Sequence, residues 1–438
     1  MKKLELLAPA GDIEKLIIAI DYGADAVYFG SEDFSLRAGA GNFTLEDIKE
    51  GVAYAHERGR KCYLTLNIFP HNEDIGPLTA YLEKIKDLGL DAYIVSDPGV
   101  IELVRRIIPD AVLHLSTQAN MTNYQTAKFW VKQGIKRIVT ARELTIKEIC
   151  KLKEELGDTA ELEAFVQGAM CISYSGRCLL SNFMIGRDAN RGMCAHPCRW
   201  KYTLMEEQRP GEYYPVEEDG RGTYILNSKD LCMIEHIPEL IEAGIESAKI
   251  EGRMKSIFYV ATVVSAYRKV IDAYYDDEEN FVFKPEWMSE LKKVSHREFT
   301  TGFYFSKPAS DSQNYQTSAY TRDYSFVGIV RDYDKETGYA TVEQRNKMSL
   351  GDEIEVFGPC SDFFTQAILE MYDEEGNPVD SAPHPQQILK IKMERPVAAN
   401  FMLRKLGRPA KPITNAILTA SLWPGMGAAG LEKQRVSK

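Results

Sequence analysis

Four closely spaced cysteines are the residues of this chain whose type and spacing could do chemistry. Cys171, Cys178, Cys194 and Cys198 lie in one short segment, while the other four cysteines of the 438-residue chain are scattered singly. Soft thiolates at close spacing select iron–sulfur clusters or zinc. Structural zinc usually takes cysteines paired across roughly two to four residues, which only the second pair approaches. The spacing favours a 4Fe–4S cluster, with zinc, aided by His196, as the alternative and four ordinary buried cysteines as the least favoured interpretation.

Basic side chains surround these thiols in the sequence. They are Arg177, Arg187, Arg191, Arg199 and Lys201. Guanidinium and ammonium groups would offset the negative charge of a thiolate-bound cluster and could also hold an anionic substrate. The cysteine segment is therefore a candidate active site as well as a candidate metal site.

The composition is that of a globular protein, with 44% hydrophobic and 27% charged residues. The net charge of −11 argues against a general nucleic-acid coat, although residues 401–438 carry seven lysines and arginines against one acid, Glu432. Such a tail is more often simply solvated, and contact with a polyanion is the alternative. The sequence contains neither a run of about 18 apolar residues nor a signal-type N-terminus. We therefore expect a cytoplasmic protein with reduced thiols.

One unit recurs through the first 255 residues: a helical pattern ends in glycine, and a short apolar strand follows at once. The strands lack clean alternation, which is typical of strands buried on both faces. Eight are predicted, at Leu4–Pro9, Ala26–Gly30, Lys61–Asn67, Ala92–Asp97, Leu113–Gln118, Arg137–Arg142, Leu162–Gly168 and Ser247–Arg253. Eight strands alternating with helices predict a closed (β/α)8 barrel of the TIM type, whose active site would lie at the C-terminal rim. The cysteines fall between the seventh and eighth strands, at that rim.

The pattern divides the chain into four regions. Residues 1–300 are predicted to form the barrel, with the cysteine cluster at 163–200, and residues 301–322 a linker. From about Phe326 the hydrophobic period becomes two, and Asp334–Gly338 is a hairpin signal. A small antiparallel β-barrel is therefore predicted across 323–406. The basic remainder, 407–438, is predicted to be flexible.

Several segments resemble one known family. The stretch from Glu163 to Ser181 matches the signature of peptidase family U-32, the collagenase-like proteases. The segments LLAPAG, GADAVYFG, NIFPHN, VSDPG, HLSTQAN and KIEGRMKS are also similar to that family, and the resemblance covers about residues 1–400. It implies that a 4Fe–4S cluster is held by Cys171, Cys178, Cys194 and Cys198. Cys232, whose setting indicates the start of a helix, is the substitute for the last ligand.

Within the family, the chain most resembles the members that hydroxylate ring carbon 5 of the wobble uridine in tRNA. The resemblance implies an iron–sulfur enzyme that uses prephenate as the source of the hydroxyl group. The implied partners are the tRNA anticodon loop and an electron donor. Other members of the family act on a cytidine of ribosomal RNA or on a quinone ring, and these substrates are alternatives.

The residues give little support to the peptidase activity in the family name. The chain contains no G-x-S-x-G nucleophile motif and no H-E-x-x-H zinc motif. A thiol protease could still form from Cys171 and either His196 or His114, because such pairs need not be close in sequence. Thiols bound to a cluster cannot act as nucleophiles, so the two hypotheses compete for the same atoms. The peptidase is the second hypothesis.

Polar residues at the predicted strand ends are the natural substrate contacts of a barrel. His114, within the fifth strand, and Glu251, at the end of the eighth, are the catalytic candidates, although His114 fits a core position equally well. The substrate-binding candidates are Asn67, Gln118, Arg142, Arg177 and Arg253. The three arginines would suit the two carboxylates of prephenate. Asp97 and Gln167 also fit by position, whereas Glu163 is interpreted as structural.

Overall fold

The computed structural model describes residues 3–31, 43–171, 173–175, 177–199, 203–205, 213–215, 229–306, 323–359 and 361–407. Lys201, most of the predicted linker (307–322) and the basic tail from residue 408 lie outside these ranges. Among the helices within them, none combines the length and the apolar character needed to cross a membrane.

The strands of the structure fall into two main sheets. In chain order they are β1 (Glu5–Pro9), β2 (Ala26–Phe29), β3 (Lys61–Leu66), β4 (Ala92–Val95), β5 (Leu113–Leu115), β6 (Ile135–Val139), β7 (Glu161–Ala169), β8 (Thr203–Met205), β9 (Tyr213–Pro215), β10 (Asp230–Cys232), β11 (Ser247–Ile250), β12 (Phe299–Thr300), β13 (Tyr324–Asp334), β14 (Tyr339–Gln344), β15 (Met348–Ser349), β16 (Glu353–Phe357), β17 (Phe364–Ala367), β18 (Met371–Tyr372), β19 (Ser381–Ala382), β20 (Ile388–Lys392) and β21 (Met402–Leu406).

The helices lie between the strands of the first sheet and after them. They are α1 (Ile13–Asp21), α2 (Leu45–Glu57), α3 (Asn72–Ile85), α4 (Pro98–Ile107), α5 (Tyr124–Lys132), α6 (Ile146–Leu156), α7 (Leu180–Ile185), α8 (Ile237–Glu242), α9 (Ile257–Asp276) and α10 (Pro285–Lys292). Thr44 and Thr145 begin α2 and α6 with reciprocal capping boxes, which satisfy backbone N–H groups left free at a helix start. Helices α2 and α6 therefore begin at polar residues that satisfy their first N–H groups, and their apolar residues pack into the core of the barrel.

Eight parallel strands close into a barrel, which confirms the predicted fold. Strands β1 to β7 pair in sequence order, and β11 pairs with both β7 and β1. Helices alternate with these strands and bury their apolar faces against them in one continuous core. Closure fixes the carboxyl ends of all eight strands around one mouth, so side chains far apart in sequence meet there.

Three predicted strand ends were wrong. The fifth strand was expected to reach Gln118, but β5 ends at Leu115 and a 3-10 turn occupies Thr117–Ala119. The sixth strand was expected to reach Arg142, but β6 ends at Val139. The eighth was expected to reach Arg253, but β11 ends at Ile250, and Gly252 turns the chain with a φ of 156°. In all three cases the chain leaves the sheet early, and residues just beyond the strand line the cavity described below.

Strand β7 is longer than the barrel requires. Its first part pairs in parallel with β11, while its end, from Gln167 to Ala169, pairs antiparallel with β10. Cys232 ends β10, and the helical segment expected around it begins just beyond, with a 3-10 turn at Ile234–His236 that leads into α8. The part of β7 that extends beyond the barrel has backbone N–H and C=O groups without barrel partners, and the short strand β10 pairs with them. The same part of β7 leads directly into the cysteine segment at residue 171.

The C-terminal region forms a seven-stranded antiparallel sheet in the order β17-β16-β21-β13-β14-β20-β18, with a separate apolar core. The predicted hairpin at its start is confirmed, because the N–H of Gly338 donates to the carbonyl of Asp334 at 2.8 Å. The described elements of this region begin at Tyr324, and those of the barrel end at Thr300. The antiparallel β domain predicted to follow the barrel is therefore present.

The β domain is fastened to the barrel through buried contacts. The hydroxyl of Tyr22, the residue that follows α1, donates to the carbonyl of Asn400 at 2.8 Å. Phe258, at the start of α9, stacks on Phe326 of β13 with ring centroids 5.4 Å apart. These contacts hold the beginning of β13 beside the barrel mouth, which brings Tyr324 to the site described next.

Candidate active site

A cavity of about 550 Å³ lies at the mouth of the barrel, and all four clustered cysteines line it. Gln118, Arg142 and Glu251, which follow three different barrel strands, form part of its wall. Tyr324 completes the lining from the C-terminal domain. The structure therefore brings Cys171, Cys178, Cys194 and Cys198 together with three of the predicted rim residues.

The cysteine segment is held over the mouth by a few polar contacts. The guanidinium of Arg191 donates to both carboxylate oxygens of Asp74, on α3, at 2.8 and 2.9 Å. The Ser181 hydroxyl, on α7, accepts a hydrogen bond from the N–H of Ala195 at 3.1 Å. Hydrogen bonding from Arg191 lowers the pKa of Asp74, so this carboxylate is charged at neutral pH. These contacts fix the loop on which Cys194 and Cys198 lie.

The environment of Cys194 suits a thiolate. The backbone N–H of His196 donates to its sulfur at 3.4 Å, and His196 adopts a left-handed conformation with φ of 57°. Such N–H donors stabilise sulfur that carries negative charge and tune the potentials of clusters bound to it. Arg191 was predicted to offset cluster charge, but it is committed to Asp74. The side chain of Arg199 lies outside the described residues.

The four thiols share the cavity without converging on one point. No three His, Cys, Asp or Glu side chains of the described residues stand as the ligands of a single metal ion would. A tetrahedral zinc ion needs four ligand atoms at about 2.3 Å from one centre. In a 4Fe–4S cluster each thiolate binds a different iron, so the sulfurs stand further apart around a larger body. Four cysteine thiols that line one cavity match the type and number of donors that a 4Fe–4S cluster takes.

A smaller cavity of about 90 Å³ adjoins the first and shares Gln118, Arg142 and Glu251 with it. Asn67 and Arg253, both predicted at the rim, also line it. Together the two cavities contain every predicted substrate-binding residue except Arg177. They also contain one catalytic candidate, Glu251.

The rim residues are held by neighbouring hydroxyls. Arg142 donates to the Ser175 hydroxyl at 2.9 Å, and its guanidinium lies 4.0 Å from the centroid of the Phe165 ring. Arg253 is 5% exposed and donates to the Thr65 hydroxyl at 3.1 Å. Such planar donors, stiffened by their neighbours, suit recognition of a carboxylate or phosphate.

Two side-chain amides in these walls retain hydrogen-bonding capacity. Asn67 donates through its amide nitrogen to the Ser116 hydroxyl at 3.2 Å. Within the described residues, its carbonyl oxygen and that of Gln118 are buried without a hydrogen-bond partner. Buried polar atoms of this kind are normally satisfied. A ligand that brings hydroxyl or amide donors would satisfy them.

Three candidates lie elsewhere. Arg177 is exposed over the Phe69 ring, outside the described lining of both cavities. Asp97 caps α4 by accepting from the N–H of Gly99 at 2.8 Å. Gln167 points to α9, where its carbonyl oxygen accepts from the Tyr267 hydroxyl at 3.1 Å. Asp97 and Gln167 are committed to these local contacts, whereas Arg177 is exposed.

His114 is buried in the barrel interior and is absent from the described lining of either cavity. Its ring packs edge-on against Tyr63 at 4.8 Å. Burial, helped by the nearby charges of Arg137 and Lys249, lowers the pKa of His114 well below its usual value. The structure thus places this catalytic candidate as a neutral core histidine, the interpretation that the sequence left equally open.

Beneath the cavities, the barrel interior holds an ion network that the sequence did not reveal. Arg137 pairs with Glu5, with Glu161 at 2.6 Å and with Glu163 at 3.4 Å. Glu163 is fully buried and also accepts from Lys249 Nζ at 2.6 Å. Glu163 therefore has a structural role, as expected: it joins Arg137 and Lys249 in one buried ion network. Lys249, a lysine within the short buried strand β11, was the signal available in the sequence.

Cys232, the proposed substitute ligand, lies in the core away from the other thiols. It is 6% exposed and is not among the described residues that line either cavity. Burial raises the pKa of its thiol to about 12, although hydrogen bonds from Ile234 and Tyr267 partly oppose this effect. The described geometry thus leaves Cys232 out of the cavity wall that the other four thiols share.

The fold and the site define a barrel enzyme with a cysteine-lined mouth and a β domain that completes the wall. Family models narrow this class further. The model of Peptidase family U32 matches residues 11–314, and that of the Peptidase family U32 C-terminal domain matches residues 322–404. The chain belongs to peptidase family U32.

Curated relatives match over most of their length. "tRNA hydroxylation protein P1" of Bacillus subtilis is 48% identical over 404 residues, covering 92% of this chain and 95% of that protein. "tRNA hydroxylation protein P" of Escherichia coli is 36% identical over 444 residues, covering 92% and 96%. "Collagenase" of Porphyromonas gingivalis is 32% identical over 382 residues, covering 84% and 89%.

Proposed function

We propose that this protein hydroxylates ring carbon 5 of the wobble uridine in tRNA, using a 4Fe–4S cluster and prephenate as the source of the hydroxyl group. The observation that carries the proposal is the meeting of four thiols and a cation-lined recess at one barrel mouth. The relatives named for tRNA hydroxylation cover both domains of the chain, which supports the choice of tRNA as substrate.

Cys171, Cys178, Cys194 and Cys198 would hold the cluster, with one thiolate for each iron. When bound, such a cluster supplies one-electron chemistry, which an electron donor outside this chain would sustain. The N–H of His196 would stabilise the Cys194 thiolate, and the Arg191–Asp74 pair would keep the loop in place. These residues position the thiols beside the substrate wall.

The rim supplies the groups that would orient the co-substrate. Prephenate carries two carboxylates, which match the guanidinium groups of Arg142 and Arg253. Both arginines are fixed by hydroxyl acceptors, so little order would be lost when an anion binds. Glu251 lines both cavities and is the one catalytic candidate placed where it could accept or donate a proton at the substrate.

The exposed side of the cysteine segment combines apolar, aromatic and basic side chains, which suits the binding of unpaired bases. Phe183 is 87% exposed, and Tyr174 and Leu179 are also exposed. Arg177 and Arg187 of the same segment are exposed as well. Single-stranded RNA is held by stacking on apolar and aromatic side chains together with phosphate contacts from arginines. This surface would receive the anticodon loop, in the cytoplasm where tRNA is modified.

The deciding experiment is mass spectrometry of tRNA nucleosides from a deletion strain. Hydroxylated wobble uridine should disappear and return with the wild-type gene, but not with Cys171→Ala. Cys150→Ala is the matched control, because Cys150 lies on α6, which packs on the outer face of the barrel. Unchanged 5-hydroxyuridine derivatives in a strain that lacks every paralogue would refute the proposal.

A thiol peptidase is the second candidate, favoured by one observation. Cys171 and His196 line the same cavity, and one relative is named a collagenase. This activity would need a free Cys171 thiolate as nucleophile. Gelatin cleavage by iron-free protein that is abolished by Cys171→Ala would support the peptidase, and no cleavage by that protein would exclude it.

A further inference from the structure

Two buried oxygens in the wall of the smaller cavity have no hydrogen-bond partner among the described residues. They are the side-chain oxygens of Asn67, which follows β3, and of Gln118, in the 3-10 turn after β5. Buried acceptors are almost always paired, because an unpaired one weakens the folded state. These two oxygens are therefore available to a donor that enters the recess.

One hydroxyl holds both residues in place. Ser116 Oγ accepts from Asn67 Nδ2 at 3.2 Å and from the backbone N–H of Gln118 at 3.3 Å. The nitrogen end of the Asn67 amide is thus engaged, which leaves its oxygen end as the group presented to a ligand. Both residues are fixed to the same point of the wall.

The same recess also contains donors, which narrows the chemistry of the ligand. Lys249 and Arg142 line it together with the two amides. Lys249 already has Glu163 as its counter-ion at 2.6 Å, so its charge does not require an anionic ligand. A carboxylate has only acceptors and would face the two amide oxygens, whereas an ammonium has only donors and would face two cations. A hydroxyl both donates and accepts, so it suits acceptors and donors in one wall.

The volume and connection of the recess limit the ligand further. About 90 Å³ is room for about three water molecules, which is enough for a hydroxyl and the carbon that bears it. Gln118, Arg142 and Glu251 belong to both cavities, so the recess opens to the larger one along these residues. A ligand can place its hydroxyl in the recess and keep its remaining atoms beside the thiols.

We propose that the smaller cavity is a hydroxyl-binding subsite, in which the side-chain oxygens of Asn67 and Gln118 are the acceptors for the hydroxyl of the co-substrate. The inference rests on the proposed function for the identity of the co-substrate. It adds the group that the recess selects and the two residues that select it. The subsite would distinguish a hydroxylated ligand from the same ligand without its hydroxyl, because the deoxy compound leaves the buried acceptors unpaired.

The test compares two compounds that differ only in a hydroxyl, 4-hydroxyphenylpyruvate and phenylpyruvate, by calorimetry on the full-length holoprotein without RNA. The main variant is Asn67→Leu with Gln118→Met, which removes both acceptor oxygens and keeps a similar side-chain volume. Gln118→Met alone is milder, because the backbone bond to Ser116 is unaffected. The matched control is Gln125→Met, at an exposed position of α5. The melting temperature shows whether each variant is folded.

Wild-type protein and Gln125→Met should bind the hydroxylated compound at least about tenfold more tightly than phenylpyruvate. The folded double variant should bind both compounds within about twofold of each other, with Gln118→Met in between. Equal binding of the two compounds by wild-type protein, or no binding of either, would overturn the proposal and leave an ordered water as the only occupant of the recess. A full preference that persists in the double variant would overturn it as well.

The nucleoside analysis of the deletion strain is independent of this measurement. Loss of hydroxylated uridine in that strain, with equal binding of the two compounds, would refute the subsite and leave the proposed function standing. A clear preference for the hydroxylated compound, with unchanged nucleosides, would refute the proposed function and leave the subsite.

Discussion

Arg191 and Asp74 form a two-point ion pair that joins the cysteine segment to the first turn of α3. Both side chains are mostly shielded, and the two parallel hydrogen bonds fix direction as well as distance. The loop that carries Cys194 and Cys198 is thus braced from outside the segment. A short loop rich in turns depends on such a brace for its geometry.

Removing this brace should loosen the proposed cluster ligands more than it destabilises the fold. For Asp74→Asn we expect a loss of about 1 kcal/mol in the free energy of unfolding, together with a much faster loss of iron to a chelator. Asp87→Asn, on the loop after α3, is the control and should retain iron like the wild type. Iron retention by Asp74→Asn equal to that of the wild type would contradict this role.

The clustered cysteines should give the protein colour. Anaerobically purified wild-type protein should be brown, with broad visible absorption and about four irons per chain. Cys171→Ala should lose most of this absorption, and Cys150→Ala should keep it. A colourless wild-type protein with one zinc per chain would instead show a single-ion site and would remove the basis for redox chemistry.

The ion network in the barrel interior should dominate local stability. Arg137→Met leaves Glu5, Glu161 and Glu163 without their shared partner in a buried setting. Breaking a buried charge network in this way costs about 3–5 kcal/mol. Urea unfolding followed by circular dichroism measures the change.

The control for that measurement is Lys128→Met, which removes a surface pair with Glu155. Exposed pairs contribute about 0–1 kcal/mol. Arg137→Met should therefore lower the free energy of unfolding several times more than Lys128→Met does. Similar losses of free energy of unfolding in both variants would contradict this prediction, because they would mean that the interior carboxylates do not depend on Arg137.

The neutral state of His114 should make stability depend on pH. In the unfolded chain His114 takes up a proton as the pH falls through about 6.5. In the folded protein the pKa lies well below that value, because burial and the charges of Arg137 and Lys249 oppose the imidazolium. The unfolded state therefore binds more protons in this range. The free energy of unfolding should fall with decreasing pH below about 6.5, by at most about 1.4 kcal/mol per pH unit from this group.

His114→Gln should flatten that dependence between about pH 6.5 and 5. His384→Gln is the matched control, because His384 is exposed in the C-terminal domain. Urea titrations at a series of pH values give the slopes. A slope in His114→Gln identical to that of the wild type would show that His114 titrates normally.

Much of the fold was predictable because its signals are local. A glycine that ends a helix and an apolar strand that follows it recur along the chain, and both features depend on neighbouring residues alone. The strand ends were less predictable. At Leu115 and Ile250 the chain leaves the sheet to cross the mouth, which is a property of the assembled rim.

The site was predictable in part for a similar reason. The four cysteines form a compact pattern in the sequence, and polar residues at strand ends are expected at a barrel rim. Lys249 was missed because it is a single lysine in a four-residue strand. Its role arises from Glu163 on the neighbouring strand β7. Tyr324 was missed because it comes from the other domain, and no local pattern reports that contact.

The stacked pair of Phe258 and Phe326 has a consequence for engineering. Phe258 belongs to the cavity wall, and Phe326 lies two residues from Tyr324, which belongs to the same wall. A barrel expressed without the C-terminal domain would therefore lack the part of the cavity wall that Tyr324 supplies. The ring of Phe258 would lose its stacking partner and become exposed beside the cavity. Chimeras made between relatives should exchange the C-terminal domain together with the start of α9. Both residues of the Phe258–Phe326 contact would then come from the same parent.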